Sequence, residues 1–390
     1  MNLVERVLAT RLRSLLRSFP AVLLLGPRQC GKSTLVHATF TSWRHLDLER
    51  PADVDLLSGD VEGFLTAQGP KIVIDEAQRL PTLFPALRHV IDRDAKVGRY
   101  VLTGSASPSL VREVSESLAG RVALVELTPF RADELAATKH ARGRWYWGGY
   151  PRVHALRTTR ARLDWLDAYV SAVLERDIPS LGLALPPARL RILWTMLTHV
   201  HGNLLNVSDL ARSLGVSSHT VDRYLDVLEG TFMIRRLPPF FANVQKRLTK
   251  SPKVYVRDTG LLHFLAGLRK PEELSTWSRR GASFEGLVVE EIAARAADHA
   301  TRPGVFFWRT QAGAEVDLLL VSGRHVAPIE VKLGGAVSHH DLAGLRQCMS
   351  DLGAKRGWVV TGGNERRVAG RGIEIVPWSA IARGEWPFAD

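Results

Sequence analysis

The sequence predicts an α/β protein built around a parallel sheet, and three observations carry that expectation. Short apolar runs, AVLLLG (21–26), KIVIDEA (71–77) and RYVLTGS (99–105), each end in polar or small residues. Helix-patterned segments separate them, which is how a parallel sheet covered on both faces is written along a chain. At 390 residues the chain exceeds one hydrophobic core, so two or three domains are expected.

Residues 1–19 are amphipathic with helical spacing and stop at Phe19-Pro20. AVLLLG is a short buried strand that runs into GPRQCGKS (26–33), and STLVHATF (33–40) continues as a helix. RVALVEL (121–127) reads as a further strand. Residues 131–200 are helical and rich in arginine, broken by WGGYP (147–151). Residues 207–256 change character: two short helices, then strands with paired prolines. A third unit starts near 280, with a helix at FEGLVVEEIAARAA (284–297). Strands follow at VFFW (305–308), EVDLLLV (315–321), APIEVKL (327–333) and RGWVVTG (356–362). These shifts divide the chain into 1–130, 131–200, 201–275 and 276–390.

The apolar fraction of 45% and charged fraction of 24% are ordinary for a globular protein. The balance of charge is not: net +12, with a pI near 10.1. Such an excess of cations attracts polyanions, so nucleic acid or an acidic membrane surface is an expected partner. An arginine-rich proteome would produce the same balance. Cys30 and Cys348 make neither a disulfide framework nor a zinc knuckle, which suits a reducing, cytoplasmic setting. No apolar run approaches the roughly 18 residues of a membrane span, and the N-terminus has no signal-type core.

GPRQCGKS fits G-x-x-x-x-G-K-[S/T]. Gly26 and Gly31 let the backbone curl so that successive N–H groups along the Pro27-Arg28-Gln29-Cys30 stretch, the proline excepted, converge on phosphate. Lys32 is placed to reach the β and γ oxygens, Ser33 to ligate Mg²⁺, and the helix through Thr34 turns its positive end toward the anion. Asp75 and Glu76 close an apolar strand; Asp75 would hold Mg²⁺ through water and Glu76 would orient or deprotonate the attacking water. An acid pair at a helix N-cap is the plainer alternative. In LTGSAS (102–107), Thr103 or Ser105 is a candidate γ-phosphate contact, or the stretch is a simple turn. Arg121, in LAGRV (118–122), is either a surface residue or the arginine that a ring ATPase inserts into its neighbour's site.

The order GPRQCGKS, IVIDEAQ, LTGS, LAGR resembles a prokaryotic AAA-type ATPase, and PPFFANVQKRLTKSPKVYVRDTGLL (238–262) with EVDLLL and IEVKLG extends the likeness over nearly the whole chain. The family resembled joins an AAA-type P-loop core to a C-terminal domain of unknown function. The resemblance implies ATP and Mg²⁺ as cofactors, a helical lid, a winged-helix unit and a C-terminal α/β restriction-endonuclease-like domain. It also implies homo-oligomeric rings, hexameric by expectation.

NVSDLARSLGVSSHTVDRYLDVLEG (206–230) reads as helix, tight turn, helix. Gly215 supplies the left-handed turn residue and Ser217 or Ser218 caps the second helix. His219, Thr220, Arg223 and Tyr224 then lie where a recognition helix meets DNA. From Gly230 to Arg257 no acid occurs, while Lys246, Arg247, Lys250 and Lys253 are interleaved with aromatics, as suits phosphates and bases. Protein contact or core packing is the competing reading.

In the last unit, Asp317 precedes Glu330-Val331-Lys332, and Glu285 lies upstream on a helix. Alternation puts Glu330 and Lys332 on one face of a strand, with Asp317 joining from its partner. Glu285, Asp317 and Glu330 would hold a second Mg²⁺ or Mn²⁺, Lys332 would assist at a scissile phosphate, and Gln347 would touch nucleic acid. An ion pair on a half-exposed strand, or a nuclease fold kept only for binding, accounts for the same residues. Three functions result: an ATPase that remodels or translocates duplex or branched DNA; an ATP-dependent regulatory or defence switch whose output is a partner or the C-terminal domain; and a non-hydrolysing nucleotide-gated scaffold.

Overall fold

The computed structural model describes residues 4–67, 71–94, 96–105, 117–180, 185–241, 251–370 and 372–388. It divides into two compact units: Met1–Phe130 with Gly230–Phe232, and Arg131–Glu229 with Met233–Asp390.

The first unit is a five-stranded, all-parallel sheet. Its strands are β1 (Ala21–Gly26), β2 (Arg44–Asp47), β3 (Ile72–Asp75), β4 (Tyr100–Ser105) and β5 (Val122–Glu126), in spatial order β2-β3-β4-β1-β5. Strands covered on both faces are apolar at every position rather than alternately. Leu23, Leu25, Ile72, Ile74 and Leu102 pack with Leu83, Phe84, Leu87 and Ile91 of helix α3 (Leu83–Asp94). Val22, Leu24, Val73 and Val101 point the other way, into Leu8, Leu12 and Leu15 of α1 (Leu8–Leu15) and Leu35 and Val36 of α2 (Lys32–Thr39). Burying Leu or Val on either face stabilises the sheet by about 1.5–3 kcal/mol per side chain. β2 was not legible beforehand, because RHLD is a polar four-residue edge strand.

The helical core of the second unit lies around α4 (Thr159–Ala172), α5 (Pro187–His199), α6 (Val207–Leu214), α7 (Ser218–Gly230) and α8 (Thr259–Leu265). A two-stranded antiparallel sheet, β6 (Ile234–Leu237) with β7 (Lys253–Val256), follows the α6–α7 pair. Gly215 takes φ +64° between α6 and α7, as the turn requires. Ser217, not Ser218, caps α7, its hydroxyl accepting from the Thr220 N–H at 3.1 Å.

The chain ends in a mixed six-stranded sheet ordered β12-β13-β11-β10-β9-β8, with β8 at Gly304–Arg309, β9 at Glu315–Ser322, β10 at His325–Lys332, β11 at Gly357–Thr361, β12 at Arg367–Val368 and β13 at Ile373–Pro377. Helix α9 (Arg280–Asp298) covers one face through Phe284, Leu287, Val288 and Ile292. Helix α10 (Ala343–Leu352) covers the other through Leu345, Cys348 and Met349. No helix among the described residues is long and apolar enough to cross a membrane.

Candidate functional site

Gly26 ends β1, and the loop that follows turns through left-handed φ values at Gln29 (59°) and Gly31 (102°). Such turns gather successive N–H groups on one side and make an anion-sized concavity. Gly26 is required by space: a Cβ there would stand 2.3 Å from the Leu127 carbonyl oxygen. Lys32 is only 5% exposed, and its ammonium donates to the carbonyls of Gly26 (3.0 Å) and Pro27 (3.1 Å). An ammonium has three protons, so these two bonds leave one for an anion in the loop. Pro27 and Cys30 are buried and Arg28 half-buried, whereas Gln29, Ser33 and Thr34 are exposed on the loop and the first turn of α2.

Arg6 was not anticipated. Its guanidinium donates to the carbonyls of Cys30 (2.9 Å) and Thr128 (2.6 Å) and lies 4.9 Å from the Phe130 ring centroid. It therefore pins the loop to the chain beyond β5. Nothing local marks it, because the partners are distant in sequence.

Asp75, at the C-terminal end of β3, is buried and accepts on Oδ1 from the Glu76 N–H (3.1 Å) and from the Thr103 hydroxyl. Strand order explains this contact. β4 lies between β1 and β3, so Thr103, paired with Leu24, stands between loop and acid. Glu76 itself adopts φ 54°, ψ 46°, and its carboxylate accepts from the Gln78 amide at 2.5 Å. A left-handed non-glycine residue costs energy and turns the chain sharply away from the strand. The side chain of Ser105 lies outside the described residues. Arg121 precedes β5 at the opposite end of the strands from the loop, and it grips both carboxylate oxygens of Asp92. That hydrogen bonding holds Arg121 above and Asp92 below their ordinary ranges.

The donor set suits a magnesium triphosphate: a buried cation inside a curled loop, a hydroxyl at Ser33 and a carboxylate one strand away. The family model described as an AAA domain matches residues 18–136, which contain all of these groups. The first unit is therefore a P-loop ATPase of the AAA type, for which ATP with Mg²⁺ is the implied ligand. Two further models, both described as domains of unknown function, DUF8612 and DUF4143, match residues 138–272 and 280–381. The chain is 40% identical to the uncharacterized proteins Rv2008c of Mycobacterium tuberculosis and Mb2031c of Mycobacterium bovis, over 98% of this chain and 85% of each relative. It belongs to their family. The Walker-type ATPase PABY2304 of Pyrococcus abyssi shares the fold, with a TM-score of 0.50 at 16% identity over 68% of this chain and 96% of that one.

In the second unit, His219 and Arg223 are exposed on α7 and Thr220 is half-buried. Tyr224 instead packs in the core. Lys246, Arg247 and Lys250 lie outside the described residues. Lys253 requires a correction: it is 2% exposed and cannot touch DNA. Alternation along β7 puts it on the same side as Tyr255, where its ammonium meets Glu285 (3.1 Å), Glu315 (2.5 Å) and Asp317 (3.0 Å).

The same ion pairs change the expected metal shell. Glu285 and Asp317 do come together, but around the Lys253 ammonium rather than a metal. Among the described residues, no group of three or more His, Cys, Asp or Glu side chains is arranged to hold a metal. Lys332 pairs with Glu330 at 2.9 Å, as their shared strand face requires. Asp317 Oδ2 accepts from the Val331 N–H at 3.0 Å, beyond the last β9–β10 pair, Leu318 with Ile329. Burial opposes charge on Lys253, yet Glu285, Asp317 and Glu315 hold its ammonium well above the ordinary lysine range. Burial and then Asp317 push Glu285 up to about 7 and Glu330 up to about 8. Gln347 is exposed on α10.

Proposed function

We propose that the first unit hydrolyses ATP and that DNA is the polymer it acts on. The observation that carries the first part is the Thr103–Asp75 bond, which sets the acid one strand from the phosphate loop. In this reading the loop N–H groups and Lys32 hold the phosphates, Ser33 and Asp75 hold the magnesium, and Glu76 orients the water and takes its proton. When bound there, magnesium would supply charge neutralisation to the phosphates. Thr103, already bonded to Asp75, is the better candidate than Ser105 to report the γ-phosphate. Arg121 would act only in a neighbouring chain of a ring, and only after leaving Asp92.

DNA contact rests on the excess positive charge and on the helix–turn–helix with its exposed His219 and Arg223. The β6–β7 pair would then be the wing of a winged helix. The C-terminal sheet, with D…E-x-K on adjacent strands, supports the restriction-endonuclease-like reading as a DNA-binding body.

The test is ATP turnover with and without duplex, branched and single-stranded DNA. DNA should stimulate turnover several-fold in the wild type, Arg223→Ala should lose the stimulation, and Lys32→Ala should fail to bind a fluorescent ATP analogue. Turnover indifferent to every DNA would instead identify a regulatory switch. Nucleotide binding without any turnover would identify a scaffold.

A further inference from the structure

Four carboxylates converge on the inner end of the C-terminal sheet: Glu285 from α9, Glu315 and Asp317 from β9, and Glu330 from β10. Lys253 reaches in from β7, a strand of a different sheet, and its ammonium bonds three of them. Tyr255, also on β7, donates its hydroxyl to Glu285 at 2.6 Å. Arg309 takes Glu315 at 2.5 Å and Lys332 takes Glu330. Glu330 is 8% exposed, and among the described residues its Oε2 finds no hydrogen-bond partner. A buried carboxyl oxygen that no donor reaches costs about 1–3 kcal/mol, and more when charged.

Carboxylate oxygens with no nitrogen or sulfur donor suit a hard divalent cation. Such an ion binds oxygen at about 2.0–2.6 Å. The Lys253 nitrogen already sits 3.0 Å from Asp317 and 3.1 Å from Glu285, so metal and ammonium exclude each other by space as well as by charge. We propose that Lys253 is a tethered occupant of a divalent-cation position. While β7 holds its ammonium among Glu285, Glu315 and Asp317, the cluster rejects a metal. Once Lys253 is withdrawn, Glu285, Asp317 and Glu330 become an oxygen-donor site for Mg²⁺ or Mn²⁺.

This inference extends the nuclease-like reading of the C-terminal sheet but needs only metal binding, not cleavage. Mn²⁺ binding is therefore followed by calorimetry on the full chain without nucleotide, for wild type, Lys253→Gln and Lys253→Gln/Glu330→Gln. Lys253→Gln is expected to gain one Mn²⁺ per chain, bound roughly tenfold or more tighter than by wild type, and the double variant to lose it. Equal binding by wild type and Lys253→Gln, weak or strong, overturns the lock, as does a gain that survives Glu330→Gln. Should Lys253→Gln and Lys253→Met both fail to fold, Lys253 is a structural ion-pair partner and the proposal is wrong. Gain of Mn²⁺ without nicking of plasmid DNA sustains the lock while removing the nuclease reading.

Discussion

In the proposed ATPase site Glu76 and Thr103 take different parts, and substitution should separate them. Glu76 bends away from the strand at φ 54°, and its carboxylate accepts from the Gln78 amide. Glu76→Gln is expected to keep ATP affinity and lose about 10²–10⁴-fold in turnover, the usual contribution of a general base. Thr103 is fully buried against Asp75. Thr103→Val leaves the acid with one donor fewer, so kcat should fall roughly tenfold with KM near the wild-type value, because the loss is felt after binding. Steady-state kinetics on the two variants checks both. A large rise in KM for either would place that side chain in ground-state binding instead.

At the scale of elements, the α6–α7 turn shows a local requirement that sequence states openly. Gly215 has φ +64°, and nothing lies within 4 Å of where a Cβ would stand. Gly215→Ala therefore strains the backbone without a clash, and should destabilise by about 1–2 kcal/mol. Urea unfolding measures this, and an unchanged midpoint would mean that the turn relaxes freely. Asn206 caps α6 by accepting from the Asp209 N–H at 3.2 Å, and Ser217 caps α7, so both helix starts follow from polar residues ahead of apolar runs. β7 is the contrasting element. KVYV is basic and aromatic, and it reads as a surface strand until its four residues are seen to be buried.

Across the second unit, three buried histidines make stability depend on pH. Burial holds His201 down at about 3 and His154 and His263 at about 4. His201 accepts the Val256 N–H on Nδ1, and His263 bridges the Tyr146 carbonyl and the Ser283 hydroxyl. Each pKa is lower in the folded chain than in the unfolded one, where histidine titrates near 6.5. Below that pH the unfolded chain takes up protons that the fold refuses. Their stabilisation is therefore complete above about 6.5 and is lost as pH falls toward the folded values, by up to about 1.4 kcal/mol per histidine per pH unit. Glu285 and Glu330, raised on folding, act in the opposite sense over the same range, so the histidine contribution is read as a difference: in thermal melts of the full chain from pH 8 to 5 the wild type should lose more stability on acidification than His263→Gln does.

The sequence alone determined whatever depends on neighbours along the chain. Gly26, Gly31 and Lys32 are spaced by the demands of one curled loop, and AVLLLG and IVID are apolar throughout because both faces of their strands are covered. Gly215 and Ser217 mark their turn for the same local reason. Tertiary structure decided what depends on strand order and on which face turns inward. It chose Thr103 as the partner of Asp75 by placing β4 between β1 and β3, and it tied Arg6 to a loop 24 residues away. It also put Lys253 among carboxylates 32 and more residues further on, where spacing along the chain had suggested a metal. Charge in a sequence has sign but no address, and only packing gives these residues their partners.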